Sequence, residues 1–183
     1  MSGLRLLAHA PTAALRGAHF GGDDDIDEGG RRAALAMSPL SRGDLWVCAP
    51  SRAARETAQA LGHSAAVERA LADPDFGEWN GRSLDEVSTA DPAGVQRWLT
   101  DVRSAPHGGE SLATVRDRTG TWLDAMAGQR VVAVAHPLVV RAAIAHALAL
   151  PDDGIWRLDV APLSLTRLTY RTNRWHLHFP AAG

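Results

Sequence analysis

Lysine is absent from the 183 residues, and all 19 basic side chains are arginine. Any anion site must therefore be built from guanidinium, imidazole or backbone N–H groups. Cysteine occurs once, as Cys48, which excludes an intramolecular disulfide and a thiolate cluster for zinc. No apolar run approaches the length of a bilayer crossing, and no charged leader followed by a long apolar stretch opens the chain. The expectation is a soluble, cytoplasmic protein. The net charge of -2 calls for neither nucleic acid nor an anionic membrane as partner. There is no Gly-x-Ser-x-Gly elbow, no P-loop and no dinucleotide fingerprint, which argues against a serine α/β hydrolase, a P-loop NTPase and a dinucleotide enzyme.

What is present is ordinary globular material: 45% apolar and 22% charged residues, enough for one domain over 1–183 with a helical or loop insertion at about 70–107. Residues 4–8 (LRLLA) read as a buried strand, because a continuous apolar run suits a sheet covered on both faces. Residues 9–30 read as a long Gly- and Asp-rich loop, too polar for the core, whose acidic run DDDIDE is a solvated segment or a rim to a pocket. A helix is expected from Arg31 to Met37, ended by Pro39. A second strand lies within 44–50. A helix follows with Ser51 as N-cap and Gly62 as its stop.

A short strand is expected within 63–68, and 84–104 reads as helical pieces broken at Pro92, with Val95, Trp98 and Leu99 on one face. A glycine loop leads to a helix carrying Leu112, Val115, Trp122, Leu123 and Met126 and ending at Gly128. Then come a strand at 131–135, a helix from about Leu138 to Leu150, and two alternating stretches that fit an antiparallel pair at a sheet edge. Alternating strands and helices predict a layered α/β/α fold with a mostly parallel central sheet and that antiparallel edge. Cys48 and the six tryptophans read as core and pocket-wall material, and His176 and His178 as neighbours on one face of an exposed edge strand.

Two strands end alike, in Ala8-His9 and Ala135-His136. Ligands in open α/β sheets sit beyond the carboxyl ends of the strands, so His9, Pro50 and His136 all fall where a site is expected. His9 and His136 are then candidates to face one another across it.

Four separated pieces, in order, carry a resemblance to the histidine phosphatase superfamily, the phosphoglycerate-mutase-like fold. The family's Arg-His-Gly-x-Thr reads Ala8-His9-Ala10-Pro11-Thr12, and its Ser-Pro-x-x-Arg-Ala-x-x-Thr-Ala reads APSRAARETA over 49–58. Asp73 stands ahead of a Phe-Gly step, GGES occupies 108–111, and His136 is followed five residues on by Arg141. The resemblance implies hydrolysis of a phosphomonoester through a phosphohistidine on His9. His136 would donate to the phosphoryl oxygens, Asp73 would serve as acid to the leaving group, and Thr12 would add a donor. It implies a metal-independent histidine-type phosphatase without cofactor. Its partner would be a small phosphorylated substrate or a phosphate-like anion, with homodimerisation left open. Glu110 and Pro137 fall in matching stretches as substrate contacts.

The same resemblance marks two departures. Ala8 and Ala53 stand where the family places arginines on the phosphate, and alanine cannot replace a bidentate guanidinium. Three readings follow: Arg16, Arg52 or Arg55 substitutes for them, the protein is a slow phosphatase, or it is a catalytically silent ligand-binding or regulatory module. Phosphoglycerate mutase activity is the weakest fit, since the chain is short and lacks an arginine-rich pocket.

Overall fold

A computed structural model of the chain describes residues 3–37, 40 and 44–179. Its centre is a six-stranded sheet made of β1 (Gly3–Ala8), β2 (Leu45–Cys48), β3 (Ala66–Val67), β4 (Arg130–Ala135), β5 (Leu165–Arg171) and β6 (Arg174–His178), in the order β3-β2-β4-β1-β5-β6. The pairs β1–β4, β2–β4 and β2–β3 are parallel, whereas β1–β5 and β5–β6 are antiparallel. The mostly parallel sheet with an antiparallel edge is thus as expected. Val131 to Ala135 are all fully buried, which requires cover on both faces of β4.

That cover comes from the helices α1 (Ala13–Arg16), α2 (Glu28–Leu35), α3 (Arg52–Ala60), α4 (Leu84–Ala90), α5 (Pro92–Thr100), α6 (Leu112–Ala125) and α7 (Pro137–Ala147). α6 packs on α7, α7 against β1, and α3 against β2 and β4. Among the described residues no helix is long and apolar enough to cross a membrane.

Three local expectations are corrected. The segment 9–30 is not wholly excluded from the interior: it contains α1, and Phe20 and Ile26 are buried, with a bridge pairing Thr12 to Ile26. Its polarity is real, but two apolar residues suffice to pin it. α2 begins at Glu28 and not at Arg31, because the Asp27 carboxylate caps it by accepting from the Gly30 N–H. Gly30 sits close against Pro11 in this helix, where an added Cβ would lie 2.9 Å from Pro11 Cδ. Pro39 lies outside the described residues. Leu99 is 43% exposed, whereas Val95 and Trp98 are buried, because the stripe of α5 runs through Gly94, Val95 and Trp98 and leaves Leu99 at its margin.

Candidate active site

Parallel pairing of β1 and β4 sets Ala8 opposite Ala135, and the His9 N–H donates to the Ala135 carbonyl at 2.9 Å. The two strands therefore end together, and their next residues meet. The rings of His9 and His136 lie 5.3 Å apart, centroid to centroid, at 56°. They line one cleft with Thr12, His19, Asp24, Ser51, Ala53 and Asp73.

Backbone partners fix the protonation pattern of both rings. His9 Nδ1 is 2.7 Å from the Ala10 carbonyl oxygen, which can only accept, so Nδ1 carries the proton and Nε2 keeps its lone pair. Burial holds His9 below the ordinary imidazole range, against the pull of that hydrogen bond. His136 is the N-cap of α7, and its Nδ1 accepts from the Leu138 N–H at 3.1 Å. A neutral His136 thus carries its proton on Nε2. Burial, then the charges of His9 and Arg141, pull its pKa down to about 3. His136 is accordingly a neutral N–H donor, and the imidazolium form is suppressed.

Asp73 joins the pair from a loop. Burial, helped by the nearby Asp23, pushes its pKa up to about 6, against the hydrogen bond from Ser51 and the charge of Arg118. Ser51 occupies the N-cap position of α3 but makes no capping bond; its hydroxyl lies 3.3 Å from Asp73 Oδ1. Arg118, which the sequence did not single out, holds that loop. It donates to both oxygens of Glu110 (2.7 and 2.8 Å), to the Ala70 carbonyl at 2.7 Å and to the Ala72 carbonyl at 2.8 Å. The segment after Asp73 is tied down by close contact with 107–110, where a Cβ on Gly109 would lie 2.2 Å from the Asp75 oxygen. Arg118→Met is expected to cost about 2–3 kcal/mol, because four donor bonds vanish and Glu110 is left half-buried without its partner. Urea unfolding checks this, and a loss below about 0.5 kcal/mol would refute the clamp.

The remaining sequence candidates divide. Thr12 lines the cleft, although its hydroxyl is engaged in capping α1 at Leu15 N. Pro137 lines an adjoining pocket. Arg16 pairs with Asp27, Arg52 pairs with Asp25 at 2.8 Å, and neither lines the cleft. Arg55 borders a separate hollow with Cys48 and His63. Glu110 is held by Arg118 and is also absent from the cleft wall. Among the described residues the cleft is lined by no arginine, and Asp24, from the acidic run, forms part of its rim. Nor do any three of His, Cys, Asp and Glu gather there to hold a metal.

The profile of the histidine phosphatase superfamily (branch 1) matches residues 4–182. The chain belongs to this superfamily. Its relatives within it include a glucosyl-3-phosphoglycerate phosphatase of Mycolicibacterium vanbaalenii, 32% identical over 171 residues that cover 82% of this chain and 76% of that protein. Phosphoserine phosphatase 1 of Hydrogenobacter thermophilus is 30% identical over 165 residues, covering 82% and 78%. Among solved structures, a mycobacterial glucosyl-3-phosphoglycerate phosphatase in complex with VO3 superposes with a TM-score of 0.84 at 28% identity, over 100% of both chains. These three proteins are phosphatases, and the solved one shares the α/β architecture described above.

Proposed function

We propose that the chain, as a single domain, hydrolyses a small phosphomonoester through a phosphohistidine on His9, at a reduced rate. The observation that carries this reading is the fixed tautomer pair. His9 Nε2 offers a lone pair while its Nδ1–H is tied to Ala10, and His136 offers an N–H beside it. In the first step the Nε2 lone pair attacks phosphorus and the P–O bond to the alcohol breaks. The departing oxygen takes the Asp73 proton. The His136 N–H bonds an equatorial phosphoryl oxygen. In the second step water gives a proton to the Asp73 carboxylate and attacks phosphorus. The P–N bond breaks, Nε2 recovers its electron pair, and inorganic phosphate leaves.

The reduced rate follows from the cleft's charge. A phosphoryl group in transfer is stabilised chiefly by cationic donors. Here Ala8 and Ala53 stand in the positions the resemblance gives to arginine, and the carboxylate of Asp24 lines the cleft instead. That same observation favours the second reading, a silent module that binds a small ligand in the cleft. Trapping decides between them: protein incubated with a radiolabelled phosphomonoester and quenched in base should retain label that acid releases, and His9→Ala should retain none. Absence of label together with absence of turnover sinks the enzymatic reading.

The pH dependence has a definite sign. Asp73 must be protonated to act as acid, so its working form is lost as pH rises through about 6. His9 must be neutral, and its lowered pKa keeps that form present through the same range. Because kcat/KM reports the first step, it is expected to fall from mildly acidic to alkaline pH, with the falling limb near 6. Asp73→Asn should flatten that limb for an activated aryl phosphate, whose leaving group needs no proton. An alkaline optimum would contradict the assignment.

A further inference from the structure

A second pocket, of about 280 Å³, adjoins the cleft and shares Leu15, His19, Phe76 and His136 with it. Asp73 lines the cleft but not this pocket, so a leaving group protonated by Asp73 reaches this space by passing the shared Phe76. Its other walls are mainly Phe20, Leu84, Trp98, Pro137 and Trp156, with one charged residue, Arg141. The aromatic part is a rigid set of edge-to-face contacts, with Trp98 and Trp156 at 4.7 Å and Phe20 and Trp98 at 5.3 Å between centroids.

Five buried polar side-chain atoms among the described residues lack a hydrogen-bond partner. Three of them, Trp98 Nε1, Trp156 Nε1 and Arg141 Nε, belong to residues of this one pocket. These three atoms are themselves buried beneath the pocket surface, so a ligand there meets the tryptophan rings and the outer nitrogens of Arg141, whose side chain stays partly exposed. Arg141 also keeps most of its charge available. Its ion-pair contact, Asp159, is 3.8 Å away and fully exposed, where a carboxylate contributes little.

We propose that this pocket is the leaving-group subsite, and that it selects an alcohol with an aromatic ring bearing a carboxylate. The ring packs against Trp98, Trp156 and Phe76, and Arg141 binds the carboxylate. This deepens the phosphatase reading and rests on it only for the phosphate end of the substrate. A sugar or amino-acid alcohol is disfavoured, because its polar groups would lie unpaired against Phe20 and Leu84.

The leaving group can be tested apart from the chemistry. Tryptophan fluorescence titration compares 4-(hydroxymethyl)benzoate with glycerate, two carboxylates of which only the first has a ring. The aromatic acid should bind at least about tenfold more tightly. Arg141→Met, Trp156→Ala and Leu84→Asp should each erase most of that preference. Leu84 is partly exposed, so its variant changes the wall without opening the core. In parallel, kcat/KM for 4-carboxybenzyl phosphate should exceed that for ethyl phosphate, whose leaving alcohol is of similar basicity, by about tenfold or more. Equal binding of the two acids, no binding of either, or a preference untouched by all three substitutions overturns the subsite. Preferential binding with no turnover of either ester keeps the subsite and sinks the phosphatase reading. Equal turnover of the two esters keeps the phosphatase and sinks the subsite.

Discussion

His9→Ala is expected to lower phosphomonoester turnover by at least about 10³-fold while leaving the fold intact. The size follows from what the ring does. Its lone pair is both free and held in place, since the Nδ1–H bond to Ala10 leaves Nε2 without a partner. His136 cannot take over, because its Nδ1 lone pair is committed to the Leu138 N–H and its Nε2 carries the proton. Stability should change little: the imidazole is buried at 2% exposure, and the one hydrogen bond lost is offset by relief from burying a polar ring. Steady-state kinetics on 4-nitrophenyl phosphate, with a thermal melt of both proteins, checks both parts. A variant retaining more than about a tenth of the rate would mean that the phosphoryl group never rests on His9.

Ala53→Arg is expected to raise kcat/KM by about 10²-fold, the scale of one donor aimed at developing phosphoryl charge. Ala53 lies in the first turn of α3 and lines the cleft, so a side chain grown from it starts at the cleft wall. The paired change Ala8→Arg behaves differently. Ala8 is fully buried within the main apolar core, with its N–H bonded to the Ser164 carbonyl and its own carbonyl accepting from the Leu163 N–H. A guanidinium grown there must thread past packed atoms to reach the anion, so Ala8→Arg should cost stability before it aids catalysis. Melting temperature and kcat/KM measured on both single variants separate these effects. If Ala53→Arg folds normally and turnover does not rise, a missing cation is not what limits the site, and the binding-module reading gains.

Much of this site was legible in local pattern. His9 and His136 each follow an apolar run that stops at a polar residue, and strand ends of an α/β sheet face outward to ligands. Register then completes what pattern starts: Ala8 pairs with Ala135, so the two histidines are neighbours once the strands are parallel and adjacent. The resemblance identified Asp73, which by composition alone is a solvated turn between Leu71 and Phe76. Its raised pKa is not a property of that turn. It comes from burial in a loop clamped by Arg118, which is 45 positions away in the chain, and no local pattern announces such a partner.

The arginines show the same division from the other side. Arg16 and Arg52 sit near the first and second motifs in sequence, which made both candidates for the phosphate. In the folded chain the acidic run reaches them first: Asp27 takes Arg16, and Asp25 takes Arg52. Ser51 was readable as a cap from its position before α3, yet its hydroxyl turns to Asp73, because the cleft offers a carboxylate at hydrogen-bond distance.

By itself, then, the sequence determined the order of the strands and the longer helices, the layered α/β architecture, the superfamily and the two histidines at the strand ends, since these depend on periodicity and on short motifs read within one element. Tertiary structure decided which tautomer each histidine holds, which arginine carboxylates neutralise, and that Arg141 and two tryptophans wall a pocket beside His136. Those outcomes depend on hydrogen-bond partners and burial supplied by segments far apart in the chain. Such partners come within a few ångströms only when the sheet is assembled, and at those distances desolvation and pairing decide the chemistry.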